Sequence, residues 1–244
     1  AGGLGFAEAP CPDAEGNFYF CDMRAPAVYK VNVADGTRSE IVKESVSGMK
    51  FGPDGLIYAC QGAQSRVIVI DPQSGTVKEV ASGVTPNDLA VAADGFIYIT
   101  ETKAGRVTRI DSKTGETATA AEGLNKPNGI VLSNDGGTLA VSEAGGTHVW
   151  MYRVNADGTL DAGMPSMTLR LPIDTAGEFK FKEPPPYQTA SRGDGSATDR
   201  AGRYYVTSAL GVQVFDPTGR QCGVLPKPLP DQPLTSCTLA GPNR

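Results

Sequence analysis

The stretch Thr85-Pro-Asn-Asp-Leu-Ala-Val-Ala-Ala-Asp-Gly-Phe-Ile-Tyr-Ile-Thr-Glu101 recurs, with variations, along the whole chain. It contains a polar residue at Asn87, an apolar run, an Asp-Gly pair at Asp94, a second apolar run and a polar end. Two short apolar runs joined by Asp-Gly are typical of a β-hairpin. This turn therefore fixes the alignment of the other copies.

The copies of the turn recur with a nearly constant spacing. They lie at Glu15-Gly16, Asp54-Gly55, Asp94-Gly95, Asp135-Gly136 and Ala201-Gly202, with Asn243 at the place of a sixth. Successive copies are 39, 40, 41, 66 and 42 residues apart. A strand-rich repeat of about 40 residues is typical of a β-propeller blade. The sequence therefore predicts an all-β, six-bladed β-propeller with one long insertion.

The whole chain, residues 1–244, is expected to form a single domain, because an all-β domain of this length need not be split. By the same repeat, Ser236 to Asn243 would form the first strand and turn of the sixth blade. The sequence ends at Arg244, so the sixth blade is predicted to be incomplete. We expect the native polypeptide to continue for about 30 further residues, or the given chain to lack its tail.

A polar residue stands seven positions before each turn and introduces an apolar run. These residues are Glu8, Ser47, Asn87, Asn128, Asp194 and Ser236. In a propeller the first strand of each blade lines the central channel and the second runs back antiparallel to it. We therefore predict one ring around the axis, with a second rank behind it at Asp22, Gln61, Glu101 and Glu143. The ring itself consists of Glu8, Asn87, Asn128 and Asp194.

Oxygen donors that converge from separate blades suit a hard divalent cation such as calcium. Taken singly, a Pro-Asn pair is typical of a turn in which Asn bonds its own backbone. Polar residues of a propeller channel can also be solvated without any metal. Four acceptor-rich residues at one repeat position, two of them in matching contexts at Pro86-Asn87 and Pro127-Asn128, favour the metal site over these alternatives.

The motifs around the predicted ring are Glu8-Ala-Pro10, Pro86-Asn-Asp88, Lys126-Pro-Asn-Gly129, Gly193-Asp-Gly195 with Asp199-Arg-Ala-Gly202, and Leu234-Thr-Ser-Cys-Thr-Leu-Ala-Gly-Pro242. Together they resemble the gluconolactonase, senescence marker protein and luciferin-regenerating enzyme family of six-bladed propellers, over nearly the whole chain. The resemblance implies one catalytic divalent cation, bound by Glu8, Asn128 and Asp194. It implies that Asn87 is a further ligand or holds substrate or water.

Three positions depart from the family pattern. Ala9 stands where the family usually has Gly, and Gly193 where it usually has Pro, and both changes leave the neighbouring carboxylate intact. Thr85 stands two residues before the first Asn, where mammalian members carry an Arg that contacts substrate. The resemblance therefore does not imply that this chain recognises a sugar lactone through an arginine at this position.

Composition disfavours several other classes of protein. A net charge of −5 and a pI near 5.0 leave no basic surface for nucleic acid. No apolar run approaches the roughly 18 residues of a membrane-spanning helix, and no signal segment opens the chain. The compartment stays open between cytoplasm and periplasm or secretion, and the oligomeric state is not indicated.

The cysteine and histidine content disfavours two further mechanisms. The five cysteines have no Cys-x-x-Cys spacing, so neither a zinc site nor a redox site is expected. Cys21 and Cys60 share one repeat position in neighbouring blades, which favours packing over a disulfide. The single histidine, His148, falls in a predicted third strand away from the ring, which disfavours a Ser-His-Asp system.

The long insertion spans residues 161–192 and is expected on the same face as the ring. It contains two aromatic and two basic residues at 179–182, three prolines at 184–186, and Tyr187. A loop of this length is usually functional or disordered. A lid that shapes the substrate site and a plain surface insertion both remain open, and Tyr187 is a candidate substrate contact.

The ring and the resemblance together predict a metal-dependent hydrolase of a lactone or related ester. The expected cofactor is one divalent cation, calcium first and magnesium or zinc as alternatives, which would polarise the substrate carbonyl. Asp194 is predicted to act as general base or nucleophile, and Asn87 to orient a small-molecule substrate. Further substrate contacts are predicted at Thr85, Glu101, Glu143 and Thr207.

Two rival functions come from other classes. A phosphotriester hydrolase could use the same metal ring, and paired assays on a lactone and an organophosphate would separate it. A non-catalytic propeller could bind a protein or a sugar on this face and keep the metal for structure alone. That class predicts bound metal and no turnover of any ester.

Overall fold

The computed structural model describes residues 3–172 and 190–241. Within these residues, twenty β-strands form five antiparallel four-stranded sheets. A single 3-10 turn at Gly62–Gln64 is the only helical element in this part of the chain. The first strand of each sheet contacts the first strand of the next sheet along the chain, so the first strands surround a common axis. The prediction of an all-β propeller is confirmed.

Each sheet is one blade, and its strands are hydrogen-bonded in chain order. Blade 1 contains β1 (Ala7–Pro12), β2 (Phe18–Asp22), β3 (Ala27–Val31) and β4 (Arg38–Val42). Blade 2 contains β5 (Met49–Phe51), β6 (Ile57–Gln61), β7 (Arg66–Ile70) and β8 (Val77–Ser82). Blade 3 contains β9 (Leu89–Val91), β10 (Phe96–Glu101), β11 (Arg106–Asp111) and β12 (Thr117–Glu122).

The last two blades follow the same order. Blade 4 contains β13 (Pro127–Leu132), β14 (Thr138–Glu143), β15 (His148–Arg153) and β16 (Met164–Thr168). Blade 5 contains β17 (Ser196–Thr198), β18 (Tyr204–Ser208), β19 (Gly211–Phe215) and β20 (Gln221–Pro226). The repeated turns of the sequence, from Glu15-Gly16 to Ala201-Gly202, join the first and second strands of all five blades. Their glycines have φ between 71° and 96°, a region that side chains disfavour.

The hydrophobic core lies between neighbouring blades. Tyr98 of blade 3 packs in one cluster with Ile130 and Leu139 of blade 4, and its hydroxyl donates to the Gly158 carbonyl at 2.8 Å. Because neighbouring blades cover both faces of each sheet, all but at most one residue of every second strand is buried. All five residues of β6 are buried, which explains why these strands are continuous apolar runs.

The predicted sixth blade is not confirmed, because the described residues contain five four-stranded blades and no sixth. Thr235 to Gly241 are described and belong to no sheet. They lie between blades 5 and 1, because the Gly195 amide donates to the Thr235 carbonyl at 2.8 Å and the Gly241 amide donates to the Gly16 carbonyl at 3.0 Å. No helix in the described ranges has the length and apolar character needed to cross a membrane.

Candidate functional site

The starts of the first strands and the ends of the second strands meet at one face of the propeller. The Asn87 amide donates to the Thr100 carbonyl at 2.8 Å, and the Asp194 amide donates to the Thr207 carbonyl at 3.0 Å. In both blades the residue seven before the turn therefore pairs with the residue six after it. This is the geometry that the repeat predicted.

A cavity of about 190 Å³ opens on this face. All four residues of the predicted ring, Glu8, Asn87, Asn128 and Asp194, line it. The rest of its wall consists of Met23, Ser47, Asp88, Gly195, Thr235 and Ser236. The fold thus brings together ring residues that are up to 186 positions apart in the sequence.

A shift in strand pairing accompanies two of the ring residues. The β1–β2 pairing shifts between Glu8 and Cys11, and the β13–β14 pairing shifts between Pro127 and Ile130, which contain the cavity residues Glu8 and Asn128. Bulges of this kind often redirect side chains next to active sites.

Left-handed backbone recurs at the same places. Ala9, Lys126 and Arg192 have φ of 54°, 55° and 52°, and each lies within two residues of a ring residue. For a residue with a Cβ this conformation costs about 1–2 kcal/mol. Ala9 adopts it without the conformational freedom that a glycine has. Such strain is often found at functional sites.

Burial raises the pKa values of the three carboxyl groups in the cavity, and neighbouring carboxyl charges raise those of Glu8 and Asp194 further. Burial raises the pKa of Glu8 and of Asp88. Burial, followed by the charges of Glu8 and Asp88, raises the pKa of Asp194 to about 8. A cation among these groups would favour their charged forms and lower those pKa values. The electrostatics of the cavity therefore suit a positive ligand.

One amide oxygen of the cavity has no hydrogen-bond partner within the described part of the chain. Asn128 Oδ1 is buried and finds no hydrogen bond among the described residues. A buried acceptor left unsatisfied costs about 1–3 kcal/mol. Calcium takes both carboxylate and amide oxygens, so the donor set of Glu8, Asn128 and Asp194 fits it. In the described ranges no three His, Cys, Asp or Glu side chains form a metal-binding group, so a cation here would depend on the amide oxygens.

Asp88 lines the cavity, but the sequence did not single it out as a site residue. It is 8% exposed, and its carboxylate accepts the Leu89 amide at 2.9 Å and, from the next blade, the Ile130 amide at 3.4 Å. The sequence does distinguish this position. The first Pro-Asn pair is followed by the acidic Asp88, whereas the second is followed by Gly129.

Two predicted substrate contacts, Thr85 and Glu101, are hydrogen-bonded to each other behind the ring. Glu101 is 1% exposed and accepts the amide and the hydroxyl of Thr85 at 2.8 and 3.0 Å. It also accepts Arg106 Nε at 2.5 Å and the Thr108 hydroxyl at 2.6 Å. Neither Glu101 nor Thr85 lines the cavity.

The other predicted substrate contacts also lie away from the cavity wall or outside the described residues. Glu143 is buried and accepts the Asn125 amide at 2.7 Å. Thr207 is fully buried, and its hydroxyl lies 3.0 Å from the Gly195 carbonyl and 3.1 Å from the Thr235 carbonyl. Tyr187 and most of the 161–192 insertion lie outside the described residues.

Glu101→Gln is expected to destabilise the protein at neutral pH and to matter less in acid. Burial alone would raise the pKa of Glu101, but hydrogen bonds from Arg106, Thr108 and Thr85 outweigh it and lower the pKa to about 2. The stabilisation is therefore present above the ordinary pKa of 4.5 and is lost as the pH falls towards 2. Because Arg106 is partly exposed, solvent weakens the ion pair. We therefore expect Glu101→Gln to lower the free energy of unfolding by about 2 kcal/mol at pH 7.

Urea unfolding of wild type and Glu101→Gln at pH 7 and pH 3 measures this effect. The difference in unfolding free energy between the two proteins should shrink at the lower pH. Glu116→Gln, at an exposed position of the same blade, serves as the control. An equal difference at both pH values would contradict the assignment.

The fold and the cavity define an all-β propeller whose channel opening is lined by oxygen donors from several blades. The chain belongs to the SMP-30/Gluconolactonase/LRE-like family, whose model matches residues 6–244. The resemblance inferred from the motifs is confirmed.

Individual relatives agree with this assignment. A protein named gluconolactonase from Zymomonas mobilis subsp. mobilis is 28% identical over 213 residues, which cover 78% of this chain and 56% of that protein. The chain thus spans about half the length of this curated relative.

Solved structures share the fold. A gluconolactonase from Xanthomonas campestris superposes with a TM-score of 0.77 at 22% identity and covers 96% of this chain and 79% of its own. A calcium-binding protein, regucalcin, from Agrobacterium tumefaciens has a TM-score of 0.67 at 16% identity, with 89% and 73% covered. At these identities the likeness shows the propeller fold alone.

Proposed function

We propose that the protein hydrolyses a lactone or a related ester with the help of one divalent cation in the cavity. The observation that carries the proposal is the convergence of Glu8, Asn128 and Asp194 on one cavity, where the Asn128 oxygen has no partner among the described residues. Family membership supports the reaction class, as does the name of the Zymomonas mobilis relative.

Glu8, Asn128 and Asp194 would hold the cation, and Asn87 would be a further ligand or a substrate contact. All these donors are oxygens, two of them from amides, which favours calcium over magnesium and over zinc. The regucalcin that shares the fold is described as calcium-binding. When bound, the cation would polarise the substrate carbonyl as a Lewis acid.

The chain's own residues would supply the remaining chemistry. Asp194 lines the cavity, and its carboxylate would accept a proton from the attacking water or attack the carbonyl itself. The Asn87 amide would orient the substrate by donating a hydrogen bond to one of its oxygens. The cavity of about 190 Å³ suits a small-molecule substrate.

Thr235 to Gly241 are proposed to be the innermost segment of a sixth blade. Two observations support this. The segment is hydrogen-bonded to blade 5 at Gly195 and to the blade 1 turn at Gly16. Thr235 and Ser236 also complete the cavity wall between the two blades.

Paired assays test the proposed reaction. Purified protein is expected to open a sugar-derived or an alkyl lactone in the presence of calcium, to lose this activity with a chelator, and to regain it when calcium is restored. Faster turnover of an aryl dialkyl phosphate than of any lactone would indicate the phosphotriester hydrolase instead. Bound calcium with no ester turnover would indicate a non-catalytic binding propeller.

A further inference from the structure

A buried hydroxyl links blade 3 and blade 4 each to the ring residue of the blade that follows. Thr100 of blade 3 donates to the Asn128 carbonyl at 2.6 Å, and Ser142 of blade 4 donates to the Asp194 carbonyl at 2.9 Å. Thr207 of blade 5 lies 3.0 Å from the Gly195 carbonyl of its own blade and 3.1 Å from the carbonyl of Thr235, the residue before Ser236. All three hydroxyls occupy one repeat position at the end of a second strand, and in blades 3 and 4 this position contacts the next ring residue.

The Thr100 hydroxyl joins two blades through one group. It accepts the Asp88 amide of its own blade at 3.2 Å. A hydroxyl has one proton to donate, and the Asn128 carbonyl at 2.6 Å is closer than the Asp88 carbonyl at 3.4 Å. Thr100 is fully buried, so no water competes for these bonds.

Ser142 repeats the arrangement one blade further on. Its oxygen accepts the Gly129 amide at 3.0 Å, and it donates to the Asp194 carbonyl at 2.9 Å rather than to the Gly129 carbonyl at 3.4 Å. Ser142 is 1% exposed. The backbone next to Asn128 is therefore tied through one buried hydroxyl to the backbone of Asp194.

Blade 2 keeps the contact with a different residue. Cys60 occupies the hydroxyl position there, and a thiol is a weaker donor. Ser47, which lines the cavity, instead donates to the Asn87 carbonyl at 2.6 Å. A donor to the next ring residue is thus present even where the usual position lacks a hydroxyl.

We propose that Thr100 and Ser142 are positioning residues that set the spacing of the cation's oxygen ligands by holding the backbones of Asn128 and Asp194. Because the Asn128 side-chain oxygen has no partner among the described residues, its backbone carbonyl is the anchor that the structure shows. The inference rests on the proposed cation site.

Calcium titration calorimetry on four variants tests the inference. Thr100→Val and Ser142→Ala remove the hydroxyls and are expected to raise the calcium dissociation constant about tenfold or more, as loss of groups that orient metal ligands does. Thr100→Ser keeps the hydroxyl and should restore binding to within about twofold of wild type. Ser142→Ala removes little volume and decides the question if Thr100→Val does not fold.

Ser208→Ala is the matched control. Ser208 is 2% exposed, and its hydroxyl donates to the Gly211 carbonyl at 2.9 Å within its own blade. Its loss should lower the melting temperature of the calcium-free protein, as in Ser142→Ala, and leave calcium affinity unchanged.

The outcomes separate this inference from the function on which it rests. Weaker binding in Thr100→Val and Ser142→Ala, with Thr100→Ser and Ser208→Ala unchanged, supports it. Wild-type calcium affinity in both Thr100→Val and Ser142→Ala overturns the positioning role and leaves the cation site standing. A wild type that binds neither calcium, magnesium nor zinc overturns the cation site and this inference together.

Discussion

Asp194→Asn is expected to lower lactone hydrolysis by roughly a thousandfold at saturating calcium. The change keeps the size of the side chain but removes the carboxylate that we propose as general base or nucleophile, and loss of such a group typically costs 10²–10⁴ in rate. Steady-state kinetics on the lactone that wild type hydrolyses best measures the effect. The loss should appear in kcat as well as in kcat/KM, because the group acts on the reacting atoms.

Asp199→Asn provides the control in the same blade. The Asp199 carboxylate accepts Arg203 Nε at 2.6 Å and the Tyr205 hydroxyl at 3.1 Å, and it does not line the cavity. The lactone hydrolysis rate of Asp199→Asn should stay close to that of wild type. Full activity of Asp194→Asn with calcium bound would remove Asp194 from the mechanism.

Gly129→Ala is expected to destabilise the protein by about 3 kcal/mol or more, because overpacking against fixed backbone is not relieved by rotation of a side chain. A Cβ at Gly129 would overlap the Asp194 carbonyl oxygen and lie 2.6 Å from its carbonyl carbon and 2.8 Å from Gly195 Cα. Relief requires blades 4 and 5 to move apart at the point where Asn128 and Asp194 meet the cavity. Urea unfolding measures the loss, and calcium affinity should fall with it.

Gly223→Ala is the matched comparison, since Gly223 is also a strand glycine without a positive φ. No heavy atom lies within 4 Å of a Cβ added there. This variant should unfold within about 0.5 kcal/mol of wild type. Equal stability of Gly129→Ala and Gly223→Ala would mean that the two blades do not approach as closely as described.

The ring could be predicted from sequence because the turn fixes the register. Once the Asp-Gly pairs are aligned, counting back seven residues reaches Glu8, Asn87, Asn128 and Asp194, and the structure places all four in one cavity wall. Counting succeeds because the hairpins are short and regular, apart from one extra residue near Gly136. The roles of these residues remain proposals.

The position of Asp88 in the cavity and the partners of the residues behind the ring could not be predicted by counting along the repeat. Alternation along a strand would turn the position next to Asn87 away from the channel. Asp88 instead lies just before β9, lines the cavity, and accepts the Ile130 amide of the next blade at 3.4 Å. Glu101 occupies the rank behind the ring, but Thr85, Arg106 and Thr108 occupy its oxygens. The repeat does not specify those partners.

The most direct test of the shared site is the calcium stoichiometry and affinity of wild type beside Glu8→Gln and Asp194→Asn, with Glu15→Gln at an exposed turn of blade 1 as control. We predict one calcium per chain in wild type and in Glu15→Gln, and affinity lower by roughly a hundredfold or more in the two cavity variants. This result would show that residues 186 positions apart hold one ion. Absent binding, or binding unchanged in both cavity variants, would mean that the ring is only the polar lining of a channel.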